Sequence, residues 1–181
     1  MTPVLERLPR WTQIIPVFGI IILIVYGWAL MWFFWEVPSW LYYLHIGEVL
    51  VLLAYTLATN FAESLAVLCG PLLLALVLPK KWFSDVFVAR GTALALAALG
   101  CFIFLAKQFT DKDAYPTFWL RIPTVLLVAA VIAALVYLCG RILLVRKALE
   151  ALADRVSIFT YILVPLSLIS VLVVAVRLLI G

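Results

Sequence analysis

The sequence predicts an all-α, polytopic integral membrane helical bundle. Three observations carry that expectation. Of 181 residues, 68% are hydrophobic and only 12% charged, where soluble domains run at about 45–50% and about 25%. Mean hydropathy is +1.26, so a water-soluble fold would have no surface to show to solvent. The apolar residues also come in runs of roughly 20, the length of one bilayer crossing, bounded by Arg, Lys and Pro. The length accommodates five to six transmembrane segments in a single domain spanning residues 1–181.

The first segment runs from Gln13 to Trp35, after Arg7 and Arg10, and Pro38 ends it because proline is awkward in a helix interior. It is far longer than the core of a signal peptide and no small-residue cleavage motif follows, so it reads as a retained span. From Trp40 to Pro79-Lys80-Lys81 the chain has no clear polar stop, about twice one crossing. Three arrangements fit: a tight hairpin turning near Thr59-Asn60, one net crossing, or a segment broken at Gly70-Pro71 with a re-entrant half-span after it. The next segments run from about Val86 to Lys107 and from about Trp119 to Leu144, either side of the loop 108–118 with Asp111, Lys112 and Asp113. The stretch RILLVRKALEALADR, residues 141–155, is amphipathic at helical spacing and suits a helix lying on the membrane or docking a soluble partner. The last segment runs from about Val156 to Ile180.

Basic residues concentrate on the cytoplasmic side of membrane proteins. Lys80, Lys81 and Arg90 assign loop 80–90 to the cytoplasm. Arg141, Arg146, Lys147 and Arg155 do the same for loop 141–155. Loop 108–118 and the C-terminus then face outward, in an inner or plasma membrane of bacterial type. A single net crossing in 40–79 places nine basic residues inside and four outside, whereas a hairpin gives seven against six. Charge favours the single crossing and length the hairpin.

The most informative stretch is HIGEVLVLLAYTLATNFAES, His45 to Ser64. Stepped at about 100° per residue, His45, Glu48, Tyr55, Thr56, Thr59, Asn60 and Glu63 fall on one stripe roughly 140° wide. A charged side chain at mid-bilayer costs about 2.5–3.5 kcal/mol on insertion scales, so such a face must be hidden. It is either an ion or proton path or a cofactor site, or a seam of interhelical hydrogen bonds with interfacial ends. His45 and Glu48 share a face, but the chain has one histidine, and carboxylate-bridged metal bundles need matching ligands from further helices. No metal site is expected. A pigment, haem or quinone held through His45 together with a partner stays a minor alternative, and haem with two histidines from this chain is excluded.

Trp28, Trp32 and Trp35 lie at i, i+4 and i+7 of the first segment, and Trp40, Tyr42 and Tyr43 crowd the same end. They read as an interfacial aromatic belt or as contacts to an apolar cofactor or partner helix. Gly91, Ala95 and the alanines around Ala97 let helices approach closely. Cys69, Cys101 and Cys139 lie inside apolar runs with no CxxC pair, so no dithiol centre is suggested. Walker, GxSxG and HExxH motifs are absent, and no catalytic residue is expected. The net charge of +4 belongs to topology signals rather than to nucleic acid. Membrane lipid and other membrane subunits are the expected partners. The chain is therefore expected to be a non-catalytic integral subunit of a larger membrane complex. The alternative is a small transporter, channel or substrate-binding subunit that uses the stripe.

Overall fold

The computed structural model describes residues 9–79, 83–108 and 122–180. Over these residues the chain is helical and carries no strand: α1 (Trp11–Trp40), α2 (Ile46–Val77), a 3-10 turn (Ser84–Val86), α3 (Phe87–Gln108), α4 (Ile122–Arg141), α5 (Leu143–Val156) and α6 (Ile158–Ile180). Among the described residues three stretches are long and apolar enough to cross a bilayer, namely α1, α2 and the α5–α6 stretch Leu143–Leu179, and α3 and α4 contribute the apolar stretches Phe87–Ile103 and Leu127–Arg141. The expectations that fall on Arg7, Lys80, Lys81, Trp119 and residues 109–118 lie outside the described residues, as do the side chains of α3 beyond Ile103.

α1 is the axis of the bundle. It packs against α2, α3, α5 and α6, and 44% of its most apolar stretch is buried, against 28% in α2 and 11% in α5–α6. Val17, Ile20, Ile21, Ile22 and Tyr26 are fully buried, so around its N-terminal third the helix is enclosed on all sides. Its first turn is closed where the Arg10 N–H donates to Gln13 Oε1 at 3.1 Å. α6 packs on α2 and α1 and turns its small polar residues inward. Thr160, Ser167 and Ser170 are buried, while Ile162, Ile169, Leu172 and Leu179 are exposed. That polarity is reversed relative to a water-soluble helix and suits a lipid solvent.

Two close approaches set the spacing at one end. A side chain at Gly19 would meet Ser157 Cα at 2.9 Å and Thr160 Oγ1 at 3.2 Å, and one at Gly91 would meet Val17 Cγ2 at 3.1 Å. The close packing read from Gly91 therefore occurs, against α1. A hydroxyl cluster ties the middle. Tyr26 Oη lies 2.6 Å from Ser167 Oγ and donates to the Leu57 carbonyl at 3.3 Å, and Ser167 Oγ lies 2.7 Å from the Leu163 carbonyl. Two hydroxyl protons thus serve three contacts that join α1, α2 and α6.

Three expectations are corrected. α2 is one continuous helix of 32 residues, with no turn at Thr59-Asn60 and no break at Gly70-Pro71. No glycine here adopts positive φ, and the Pro71 ring is buried in the packing. Proline inside a membrane helix removes one backbone hydrogen bond without forcing an end, because its surroundings compensate. α1 likewise runs through Pro38 to Trp40. Arg90 lies in α3, not in a loop, and is 6% exposed. The helix read from residues 141–155 is present, with one non-helical residue at Ile142, and the resulting α5 packs on α1, α3 and α4.

Two predictions follow from this packing. Gly19→Leu is expected to destabilise the bundle by about 1–3 kcal/mol through overpacking, whereas Gly27→Ala, where nothing lies within 4 Å, should be neutral or stabilising. Paired thermal melts in one detergent compare them. Tyr26→Phe should cost about 1 kcal/mol, the scale of an interhelical hydrogen bond in a membrane bundle, read as a lowered Tm with helix content unchanged.

Candidate functional site

The residues of the polar stripe separate into two groups. His45 is the N-cap of α2. Its backbone N–H donates to Glu48 Oε2 at 2.8 Å, so the carboxylate takes up a donor that a helix start leaves unpaired and lies favourably at the positive end of the helix dipole. Both side chains are exposed. Asn60 and Glu63 lie 12 and 15 residues past Glu48, about 18 and 22 Å along the helix axis. Between the groups, the Thr56 and Thr59 hydroxyls donate to the carbonyls of Leu52 and Tyr55, each at 2.9 Å. They satisfy themselves on their own helix. Tyr55 is half-buried.

Asn60 and Glu63 share one cleft of about 460 Å³ between α1, α2 and α3. Its α1 wall includes Ile24, Val25, Trp28 and Ala29, its α2 wall Ala66 and Val67, and its α3 wall Ala98, Leu99 and Phe102. The cleft sits beside the middle of α2, a helix about 48 Å long and apolar enough to cross a membrane. Asn60 is 5% exposed and its Nδ2 has no hydrogen-bond partner. Its own carbonyl accepts from Ser64 Oγ at 2.7 Å. Glu63 is exposed and makes no ion pair among the described residues. The site therefore offers an amide donor and a carboxyl group, three residues apart on one face, in otherwise apolar walls.

The aromatic residues divide as well. Trp28 is half-buried, lines the cleft and meets Trp32 edge-on at 6.0 Å between ring centroids. Trp32 and Trp35 are 50% and 77% exposed. Trp40 packs edge-on against Phe33 at 5.2 Å, and Tyr42 and Tyr43 are almost fully exposed. The rings beyond Trp28 form an apolar rim at one end of α1, and only Trp28 touches the cleft. Among the described residues no group of three His, Cys, Asp or Glu side chains comes together to hold a metal. His45 stands alone at the start of α2.

Sequence reasoning singled out neither Tyr26, which lies within an apolar run, nor the burial of Arg90, which reads as a topology signal. The helical period of α3 places Arg90 one turn before Leu94 on the same face; that spacing was the available hint that it points inward. No family model, curated protein or solved structure matches this chain, so the site is argued from its geometry.

The unpartnered amide gives a direct expectation. A buried polar group without a partner costs about 1–3 kcal/mol. Asn60→Leu should therefore raise the thermal stability of the isolated chain in detergent, against the usual direction for a buried substitution.

Proposed function

We propose that the chain is a non-catalytic integral subunit of a larger membrane protein complex, and that a transmembrane helix of a partner subunit seats in the α1–α2–α3 cleft. The observation that carries this reading is Glu63. An acidic side chain stands exposed beside the middle of a helix of membrane length, next to an orphaned Asn60 amide. Lipid tails offer neither a donor nor an acceptor, and residues of this type inside membranes face other protein or a cavity. A partner helix bearing a side chain that both donates and accepts would satisfy the Asn60 amide and the Glu63 carboxyl group together. The exposed Trp32, Trp35, Tyr42 and Tyr43 at one end of the bundle add apolar area to the same kind of contact.

The orientation belongs to this proposal. With α2 crossing once, the chain makes five crossings, α1, α2, α3, α4 and α6, from a cytoplasmic N-terminus to an outer C-terminus. α5 is 14 residues long, about 21 Å, too short to span, and lies at the cytoplasmic surface. This is the arrangement that places nine basic residues inside. The chain then resides in an inner or plasma membrane with lipid around α6.

A second reading rests on the cleft's dimensions. About 460 Å³ falls in the range of small-molecule sites, so a small transporter, channel or substrate-binding subunit would use Asn60 and Glu63 to orient an apolar solute.

Purification of the tagged chain in a mild detergent, read by mass spectrometry, separates the two. A stoichiometric membrane partner is expected, lost when Asn60→Leu and Glu63→Leu are combined and retained in Glu48→Gln. A lone particle whose behaviour is unchanged by the double substitution overturns the subunit reading and leaves the solute reading.

A further inference from the structure

Arg90 presents a second and independent anomaly. Arginines near helix ends ordinarily extend to the interface and keep the charge in water. Arg90 stands in the first turn of α3 yet is 6% exposed. Its Nε and Nη1 have no hydrogen-bond partner, and no carboxylate among the described residues pairs with it. Its setting is built around the guanidinium. α4 supplies glycine at position 140, and a Cβ there would collide with Nε and come within 2.9 Å of Cζ. Tyr137, one turn earlier on α4, lies with its ring 5.8 Å from Arg90 Cζ and 5.5 Å from Arg141 Cζ. A ring face attracts a cation but does not neutralise two guanidinium groups or accept their forks of N–H donors.

Arg90 lines a cleft of about 550 Å³ between α2, α3 and α4. Its other walls are apolar: Leu74 and Leu78 from α2, Leu94 from α3, Ile132, Ala133 and Val136 from α4. The end of the bundle that holds Arg90 also holds Arg141, the Gly19–Ser157 approach and the basic helix α5. One wall of the cleft thus calls for an anion, the rest for hydrocarbon, and the charge sits at a helix start rather than at mid-helix.

We propose that this cleft binds an anionic phospholipid, with the phosphate paired to Arg90 and one acyl chain laid between α2 and α4. Guanidinium and phosphate match as a bidentate, charge-assisted pair, and basic pockets between transmembrane helices on the cytoplasmic side suit lipid headgroups. Free phosphate would satisfy the arginine and leave the apolar walls unused. A lipid uses both. Gly140 is the positioning residue, since its missing side chain leaves the volume that the guanidinium fills. The site is separate from the Asn60–Glu63 cleft; it rests on the proposed orientation but not on the subunit reading.

The test uses the full chain purified in neutral detergent. Native mass spectrometry with added dioleoyl phosphatidylglycerol or dioleoyl phosphatidylcholine reads retained lipid, and a thermal melt with each lipid or with inorganic phosphate reads stabilisation. One phosphatidylglycerol is expected to persist, held about tenfold or more tightly than phosphatidylcholine, and the preference should disappear in Arg90→Gln. Ala133→Phe, which keeps the guanidinium and fills the apolar wall, should lower phosphatidylglycerol retention by itself. It decides the matter if Arg90→Gln does not fold. Equal retention of the two lipids, retention that survives either substitution, or equal stabilisation by inorganic phosphate overturns the proposal.

Discussion

Helices that meet inside a bilayer gain little by hiding apolar surface from one another, because lipid is as apolar as leucine. What holds this bundle must then be close backbone approach and polar groups that find partners. Both are concentrated on α1. Gly19 admits the α5–α6 junction and Val17 occupies the space left by Gly91. One turn beyond Ile22, Tyr26 reaches a carbonyl of α2 and a hydroxyl of α6. Every other placement follows from these contacts. With α1 enclosed, α6 lies along α2 with an apolar face left over, and α3 and α4 complete the far side around their own cleft.

The same logic explains the distribution of polarity. Asn60, Ser64, Thr92, Thr160, Ser167 and Ser170 are buried, while long rows of Leu and Ile are exposed. Ser64, Ser167 and Ser170 return their hydroxyls to carbonyls four residues back on their own helices, which is the least demanding way to satisfy a hydroxyl away from water. Asn60 and Arg90 do not follow that pattern. An amide or a guanidinium has more donors than its own helix can accept, so each leaves atoms open toward a cleft. Thr92 and Thr160 also leave buried hydroxyls unpaired, but Asn60 and Arg90 do so at the walls of clefts, where a second molecule has something to offer.

Much of this was legible before any coordinates. Run length and the rarity of charge lead to a helical membrane bundle, the alternation in RKALEALADR to α5, and Gly91 to a close approach. The stripe on α2 was legible as periodicity, and it singled out Asn60 and Glu63 correctly as sharing a face. Period alone does not locate a helix end, so His45 and Glu48 looked like members of the same site when they close the first turn of α2. Gly70-Pro71 and Pro38 misled because their meaning as stops is calibrated on water-exposed helices, where a freed carbonyl is simply solvated and the chain can turn. In an apolar setting the helix gains more by continuing. Arg90 was hidden by a rule that counts basic residues without asking where each side chain goes, and Tyr26 by an apolar run that spoke only of length.

The contact between Tyr26 and Ser167 spans 141 positions of the chain. A ribosome feeding this protein into a membrane delivers α1 and α2 before α6, so the hydroxyl of Tyr26 and the carbonyl of Leu57 exist in the bilayer well before the group that completes them. The early helices must wait as a half-built enclosure, held together by whatever α2 and α3 supply. Maturation of this contact thus waits for α6. A chain halted before Ser167 would leave the Tyr26 hydroxyl without its α6 partner, a state that quality control in the membrane can distinguish from the assembled bundle.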